Sequence, residues 1–294
     1  MDSITWKFIQ SLINGLTMGG VYALVSVGLT IIFGVMKVIN FAQGEYLVIG
    51  MYVTFTLHRL TGINPYYLIV PVAIICFLFG NLSFHVIIKR IIGREGTNFV
   101  VVTMGLSFVI ISLLQLIYTA NFWSIQTVQR EITVSLGSFT IGLPRLIACL
   151  AMIVFVMIVH FFLKMTDFGR AMRATSENTA VSQMLGINTD RVFLFAFSLG
   201  TMLAGLTGLL LSPIYYIFPT VGAPFKTIAM VIIVMGGLGN IGGAVISGLI
   251  IGVVEALIAS FVSLDLSPGG AYLLLILILI LKPNGLFAKG ARVA

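Results

Sequence analysis

The residues best placed to do chemistry in this chain lie where apolar sequence is interrupted. Asn40-Phe-Ala-Gln-Gly-Glu-Tyr46 breaks the chain after its first long apolar run, and Gly236-Gly-Leu-Gly-Asn-Ile-Gly-Gly243 breaks it again far downstream. Asn40, Gln43, Glu45 and Asn240 supply amides and a carboxylate, groups that hydrogen-bond a passing solute rather than attack it. Irregular backbone at membrane depth is tolerated only where it is buried in protein or lines a wet cavity. Paired glycine-interrupted segments in the two halves therefore point to an internal pseudo-repeat and a translocation path. Glu255, alone in an apolar segment, would be costly against lipid and is expected to face the bundle interior, either as a helix–helix hydrogen bond or as a group lining the path. The glycines have a competing use in close helix packing, since Gly15/Gly19 and Gly248/Gly252 each form G-x-x-x-G.

Enzyme chemistry finds little support. The sequence carries no Ser/His/Asp set, no H-E-x-x-H and no paired intramembrane aspartates, and His58, His85 and His160 fall near the ends of apolar segments, where an interfacial position accounts for them. Cys76 and Cys149 lie inside such segments and read as small core residues. Gly237-Leu-Gly-Asn-Ile-Gly242 matches the dinucleotide fingerprint, but the segment C-terminal to it lacks the solvated face of a crossover helix, so the match is read as accidental. There is no P-loop, and ATP hydrolysis is not expected in this chain. No cofactor is expected.

The elements that must position these residues are long and apolar. Of 294 residues, 59% are hydrophobic and 9% charged, against about 25% charged in ordinary globular chains; the mean hydropathy is +1.15. Nine apolar segments are read, two of them weak: Phe8–Met36, Tyr46–Leu57, Tyr66–Ile88, Phe99–Thr119, Leu143–Leu163, Val192–Phe218, Thr227–Leu238, Ala244–Val262 and Ala271–Leu281. The long ones approach the ~20 residues needed to cross ~30 Å of hydrocarbon. The expected fold is an all-α polytopic membrane protein with eight or nine transmembrane helices, some short and discontinuous, forming one transmembrane domain over residues 1–294, with a cytoplasmic loop at about 164–191. The first segment is expected to stay in the mature protein, because no cleavable-signal pattern precedes it.

The net charge of +7 does not indicate nucleic acid, because the basic residues are scattered over loops. They follow a positive-inside bias instead. With the N-terminus outside and the C-terminus cytoplasmic, Lys37, Lys89, Arg90, Arg94, Lys164, Arg170, Arg173, Arg191, Lys282, Lys289 and Arg292 lie inside, and Lys7, Arg59, Arg130, Arg145 and Lys226 outside. Lys226 would snorkel at an outer segment end. Residues 128–141 alternate polar and apolar around Gly137-Ser138, which predicts a small outer β-hairpin, either a plain surface loop or a docking surface. The loop from Lys164 to Arg191 predicts a short cytoplasmic helix capped by Ser176 and ended by Gly186, with Ala180, Met184 and Leu185 on one face. So short a helix needs something to pack on, either the chain's own helix ends or a partner.

Taken in order, a set of motifs resembles the permease subunits of branched-chain amino acid ABC transporters over nearly the whole chain. It comprises Asn14-Gly-Leu, Tyr22-Ala-Leu, Ile39-Asn-Phe-Ala-Gln-Gly-Glu45, Thr103-Met-Gly-Leu-Ser, Gly169-Arg-Ala-Met-Arg-Ala, Leu185-Gly-Ile-Asn, Leu203-Ala-Gly, Gly236–Ala244, Glu255 and Lys282-Pro-Asn-Gly-Leu-Phe. The resemblance is to the first permease of the usual pair, with Gln43 where family members commonly have His. It implies a pore made with a second permease, identical or homologous. It also implies two cytoplasmic ATPase subunits, an extracytoplasmic substrate-binding protein and a bacterial inner-membrane location. Asn40, Gln43, Glu45, Asn240 and Glu255 would then border the path, and Glu177, Asn178, Ala180, Met184, Leu185 and Gly186 would couple to the ATPase. The expected function is import of branched-chain or related amino acids. Urea or short-chain amides are alternative cargo, and a stand-alone secondary transporter or channel is the alternative of another class.

Overall fold

A computed structural model describes residues 3–93, 96–127, 132–136 and 139–287. Arg94, Arg130, Lys289 and Arg292 of the expected charge pattern, and Gly137-Ser138 of the expected hairpin tip, lie outside the described residues. Among the described residues the chain forms eleven α-helices, in the order α1 (Ser3–Met36), α2 (Gln43–Thr61), α3 (Ile69–Val86), α4 (Gly96–Tyr118), α5 (Leu143–Met165), α6 (Asp167–Glu177), α7 (Thr179–Met184), α8 (Thr189–Leu211), α9 (Gly222–Gly236), α10 (Ile241–Phe261) and α11 (Ser267–Leu281). Strands β1 (Thr133–Leu136) and β2 (Phe139–Gly142) pair antiparallel between α4 and α5, as the alternation predicts.

Six helices among the described residues are long and apolar enough to cross a membrane: α1, α3 with its flanking turns, α4, α5, α8 and α10. This is an all-α polytopic membrane protein, with fewer full spans than the eight or nine expected. The shortfall has a physical reason. Helices α9 and α11 have 15 residues each, about 22 Å of rise against ~30 Å of hydrocarbon. Helix α2 has 19 residues but opens with Gln43 and Glu45 and closes with His58 and Arg59.

Asparagine and threonine start several of these helices. Asn188 Oδ1 accepts from Arg191 N at 3.1 Å at the start of α8, and Thr166 Oγ1 from Gly169 N at 3.0 Å at the start of α6. Such caps each contribute roughly 1 kcal/mol. Helix α1 ends differently: Lys37 adopts the left-handed conformation at φ 58° and its N–H returns to Phe33 O.

Helices α1 and α8 form the buried centre and run antiparallel, with Met18 beside Tyr215, Gly28 beside Leu203 and Ile32 beside Gly200. Helix α10 lies antiparallel along the other side of α1. Ser11 Oγ bonds Ser260 Oγ at 2.7 Å, and Gly15 and Gly19 meet Gly252 and Gly248 backbone to backbone. The two G-x-x-x-G motifs are thus one interface, as close packing requires. Helices α4, α5 and α11 keep long apolar faces exposed, among them Leu116, Phe161 and Ile280, the side chains a bilayer would solvate.

Candidate functional site

The polar centre of the molecule forms where two helices begin. Helix α1 is followed by the irregular stretch 37–42 and then α2; α8 is followed by 212–221 and then α9. The N-termini of α2 and α9 cross at Gly44 and Gly222. The approach is so close that a Cβ at Gly44 would lie 2.5 Å from Gly222 O, and one at Gly222 would lie 2.7 Å from Gly44 C. Gln43 Nε2 donates to Gly200 O at 3.2 Å. Gly200 is midway along α8, so α2 begins level with the middle of the central helix. Each half of the molecule therefore presents a buried helix, a break and a shorter helix, in opposite directions. The sequence pattern suggests a different pairing, between 40–46 and 236–243. In the structure the helix that follows the first break instead meets the start of α9, which follows 212–221, a stretch without the glycine-rich signature.

Glu45 stands in the first turn of α2 and is only 2% exposed. Its Oε1 accepts from Lys226 Nζ at 2.9 Å, and Lys226 also reaches Ser107 Oγ of α4 at 3.4 Å. The partial positive charge of a helix N-terminus favours a carboxylate there. Lys226 is the residue that sequence reasoning misplaces. It does not snorkel to water but lies within α9, its side chain 20% exposed, paired with a carboxylate far away in sequence.

Asn40 is fully buried in the bend before α2, where its Oδ1 accepts from Ala42 N at 3.0 Å. Asn40 Nδ2, Gln43 Oε1 and Glu45 Oε2 are buried with no partner among the described residues, an arrangement that is expensive unless something else satisfies them. Of these, only Glu45 meets Lys226; Gln43 reaches between α1 and α8, beside Gly28 and Gly200, and Asn40 bonds within its own bend.

Asn240 is not part of that group. Its Oδ1 caps α10 by accepting from Gly243 N at 3.0 Å, and its Nδ2 donates to Phe287 O at 2.7 Å. Leu286 N bonds Met235 O, and Gly285, at φ 89°, packs onto Gly237. The glycines of 236–243 thus serve a tight turn clasped by the C-terminal segment, adjacent to Gly34 of α1. Glu255 faces inward, as its cost in lipid predicts, and is 8% exposed beside Tyr22. It makes no hydrogen bond to the Glu45–Lys226 group.

The 164–191 segment forms two helices rather than one. Ser176 lies within α6, its Oγ donating to Arg173 O, and the cap of α7 is Asn178, whose Oδ1 accepts from Val181 N at 3.1 Å. Gly186 ends the turn at φ 82°, as predicted. Ala180, Met184 and Leu185 point outward, Met184 being 86% and Leu185 74% exposed, so the chain's own helix ends do not cover this face. Glu177 and Asn178 are exposed beside it. Lys89 Nζ pairs with Asp190 Oδ2 at 3.3 Å next to this elbow. At the opposite end Gln10 clasps the backbone of Thr140 with two hydrogen bonds, and Trp123 pairs with Ile217.

Comparison with known proteins accords with this geometry. Residues 11–281 match the family described as branched-chain amino acid transport system, permease component. The high-affinity branched-chain amino acid transport system permease proteins LivH of Salmonella typhimurium and Escherichia coli are each 30% identical to this chain, over 96% of both chains in each case. The corresponding BraD of Pseudomonas aeruginosa is 30% identical over 97% of both. No solved structure matches the chain.

Proposed function

Because the chain belongs to the permease-component family of branched-chain amino acid transport systems, we propose that it is the pore-forming subunit of an ATP-driven importer of branched-chain or related amino acids. It is a multi-pass membrane transport permease rather than an enzyme. Its working form pairs it with a second permease, identical or homologous, two cytoplasmic ATPase subunits and an extracytoplasmic binding protein, in a bacterial cytoplasmic membrane. The N-terminus is outside and the C-terminus inside.

The observation that carries this reading beyond the family is the elbow α6–α7. A short, capped helix with exposed Met184 and Leu185 stands between two membrane-crossing helices, α5 and α8. It is rigidly attached through Asn178, Gly186 and the Gln183 Nε2–Thr189 Oγ1 hydrogen bond at 2.9 Å. A rigid apolar elbow of this kind can pass a push from an ATPase to the helices on either side of it. Asn40, Gln43 and Glu45, buried in the first turn of α2 and the bend before it, would border the path. Asn240 serves as a cap, and Glu255 lines or braces the far side of α1.

The complete transporter in liposomes should import labelled leucine and valine in an ATP-dependent manner. Uptake of urea with no uptake of either amino acid would shift the cargo to small amides. Uptake by this chain alone, without ATPase subunits, would remove the ATP-driven reading altogether.

A further inference from the structure

We propose that Glu45 and Lys226 form a transient zwitterion-binding site in the pore wall, Glu45 receiving the substrate's ammonium and Lys226 its carboxylate. This inference rests on the amino-acid cargo proposed above. An ion pair whose sole purpose was to hold α2 against α9 would be expected to have its remaining lone pairs satisfied, since burial of charge is otherwise costly. This one is left incomplete. Glu45 uses Oε1 for Lys226, while its Oε2 is buried with no partner among the described residues.

Access comes from the α9 side. Lys226 retains partial exposure, and Ala223, Pro224 and Thr227, which flank it on α9, are exposed. The second lysine contact, to Ser107 at 3.4 Å, is long and readily given up. Two helix N-termini, of α2 and α9, also converge at Gly44 and Gly222. With Lys226 they place two partial positive ends and one full positive charge beside a single carboxylate, so a substrate carboxylate can be received there while its ammonium meets Glu45.

A zwitterion is the cargo this arrangement suits. Its ammonium replaces Lys226 at Glu45, its carboxylate replaces Glu45 at Lys226, and no charge is stranded at any point. A purely cationic or anionic solute would leave one of the two residues without a counter-ion. When the substrate leaves, the two side chains pair again, so binding need not be tight.

The test uses the complete transporter in liposomes, once the wild type is shown to import leucine; if it imports no amino acid, the cargo assignment has failed and this inference is not what broke. Glu45→Gln and Lys226→Gln are each expected to lower uptake by about tenfold or more, a loss of ~1.4 kcal/mol at least. The double variant E45Q/K226Q is expected to stay as low. A purely structural pair predicts the opposite, because two neutral amides can hydrogen-bond to each other, and recovery of uptake in the double variant would overturn the proposal. Thr227→Cys, in a background lacking Cys76 and Cys149, leaves the pair intact and decides the matter if the charge variants fail to assemble. Leucine should slow its modification by a water-soluble thiol reagent severalfold, and a rate indifferent to leucine would rule the site out.

Discussion

Single glycines decide whether the centre of this molecule can close. A Cβ at Gly50 would stand 2.5 Å from Gly205 Cα, backbone against backbone between α2 and α8, whereas one at Gly105 on α4 would meet nothing within 4 Å. Gly50→Val is therefore expected to lower the thermal unfolding midpoint of the detergent-solubilised protein sharply, since overpacking costs ~1–3 kcal/mol even where neighbours can give. Gly105→Val should leave the midpoint within error of wild type; equal effects of the two would contradict the packing described. Asn240 makes a second residue-level case. Asn240→Ala removes the α10 cap and the bond to Phe287, and should destabilise the protein by roughly 1 kcal/mol. Asn240→Asp, which keeps the capping oxygen, should recover part of that in the same melting measurement. Glycine and asparagine stand out in the sequence as breaks in apolar runs. Whether a given break serves packing, capping or passage is not legible there, because all three uses select small or amide side chains.

At the level of elements, the coupling role proposed for the elbow α6–α7 can be tested apart from folding. Its outward residues, Met184 and Leu185, touch solvent rather than the rest of the chain, so replacing both with aspartate should leave membrane insertion and the amount of folded protein unchanged. ATP-dependent uptake should fall below a tenth of wild type, because a charged face cannot enter an apolar groove without losing about 1.4 kcal/mol or more of docking energy. Full uptake by the double aspartate variant would show that this face couples to nothing. Capping preferences and the glycine stop locate the elbow from sequence, but they miss its first helix and misplace the cap of the second. They point to Ser176 as the cap, but Asn178 holds that place because α6 extends through Ser176 to Glu177. Propensity alone does not say where one short helix hands over to the next.

Across the whole molecule, the expected orientation can be read by chemistry from either face. Single cysteines at Thr140, near the clasp with Gln10, and at Met184, on the elbow, should react with a membrane-impermeant reagent from opposite sides of sealed vesicles, Thr140→Cys from outside and Met184→Cys from the cytoplasmic side. Reaction of both from one side would invert or discard the topology. The solvent is settled by amino-acid order alone: apolar runs this long, with so few charges, exclude water as the medium around most helices, and the hairpin and elbow follow from local alternation and capping. Tertiary structure alone decides which interruptions meet. Sequence pattern pairs 40–46 with 236–243, whereas the fold brings the start of α2 to the start of α9 and so joins Glu45 to Lys226. Local pattern records how each segment is solvated and where it breaks. The partner of a buried charge is set by how antiparallel helices cross, and that depends on backbone contacts between glycines distant in the chain.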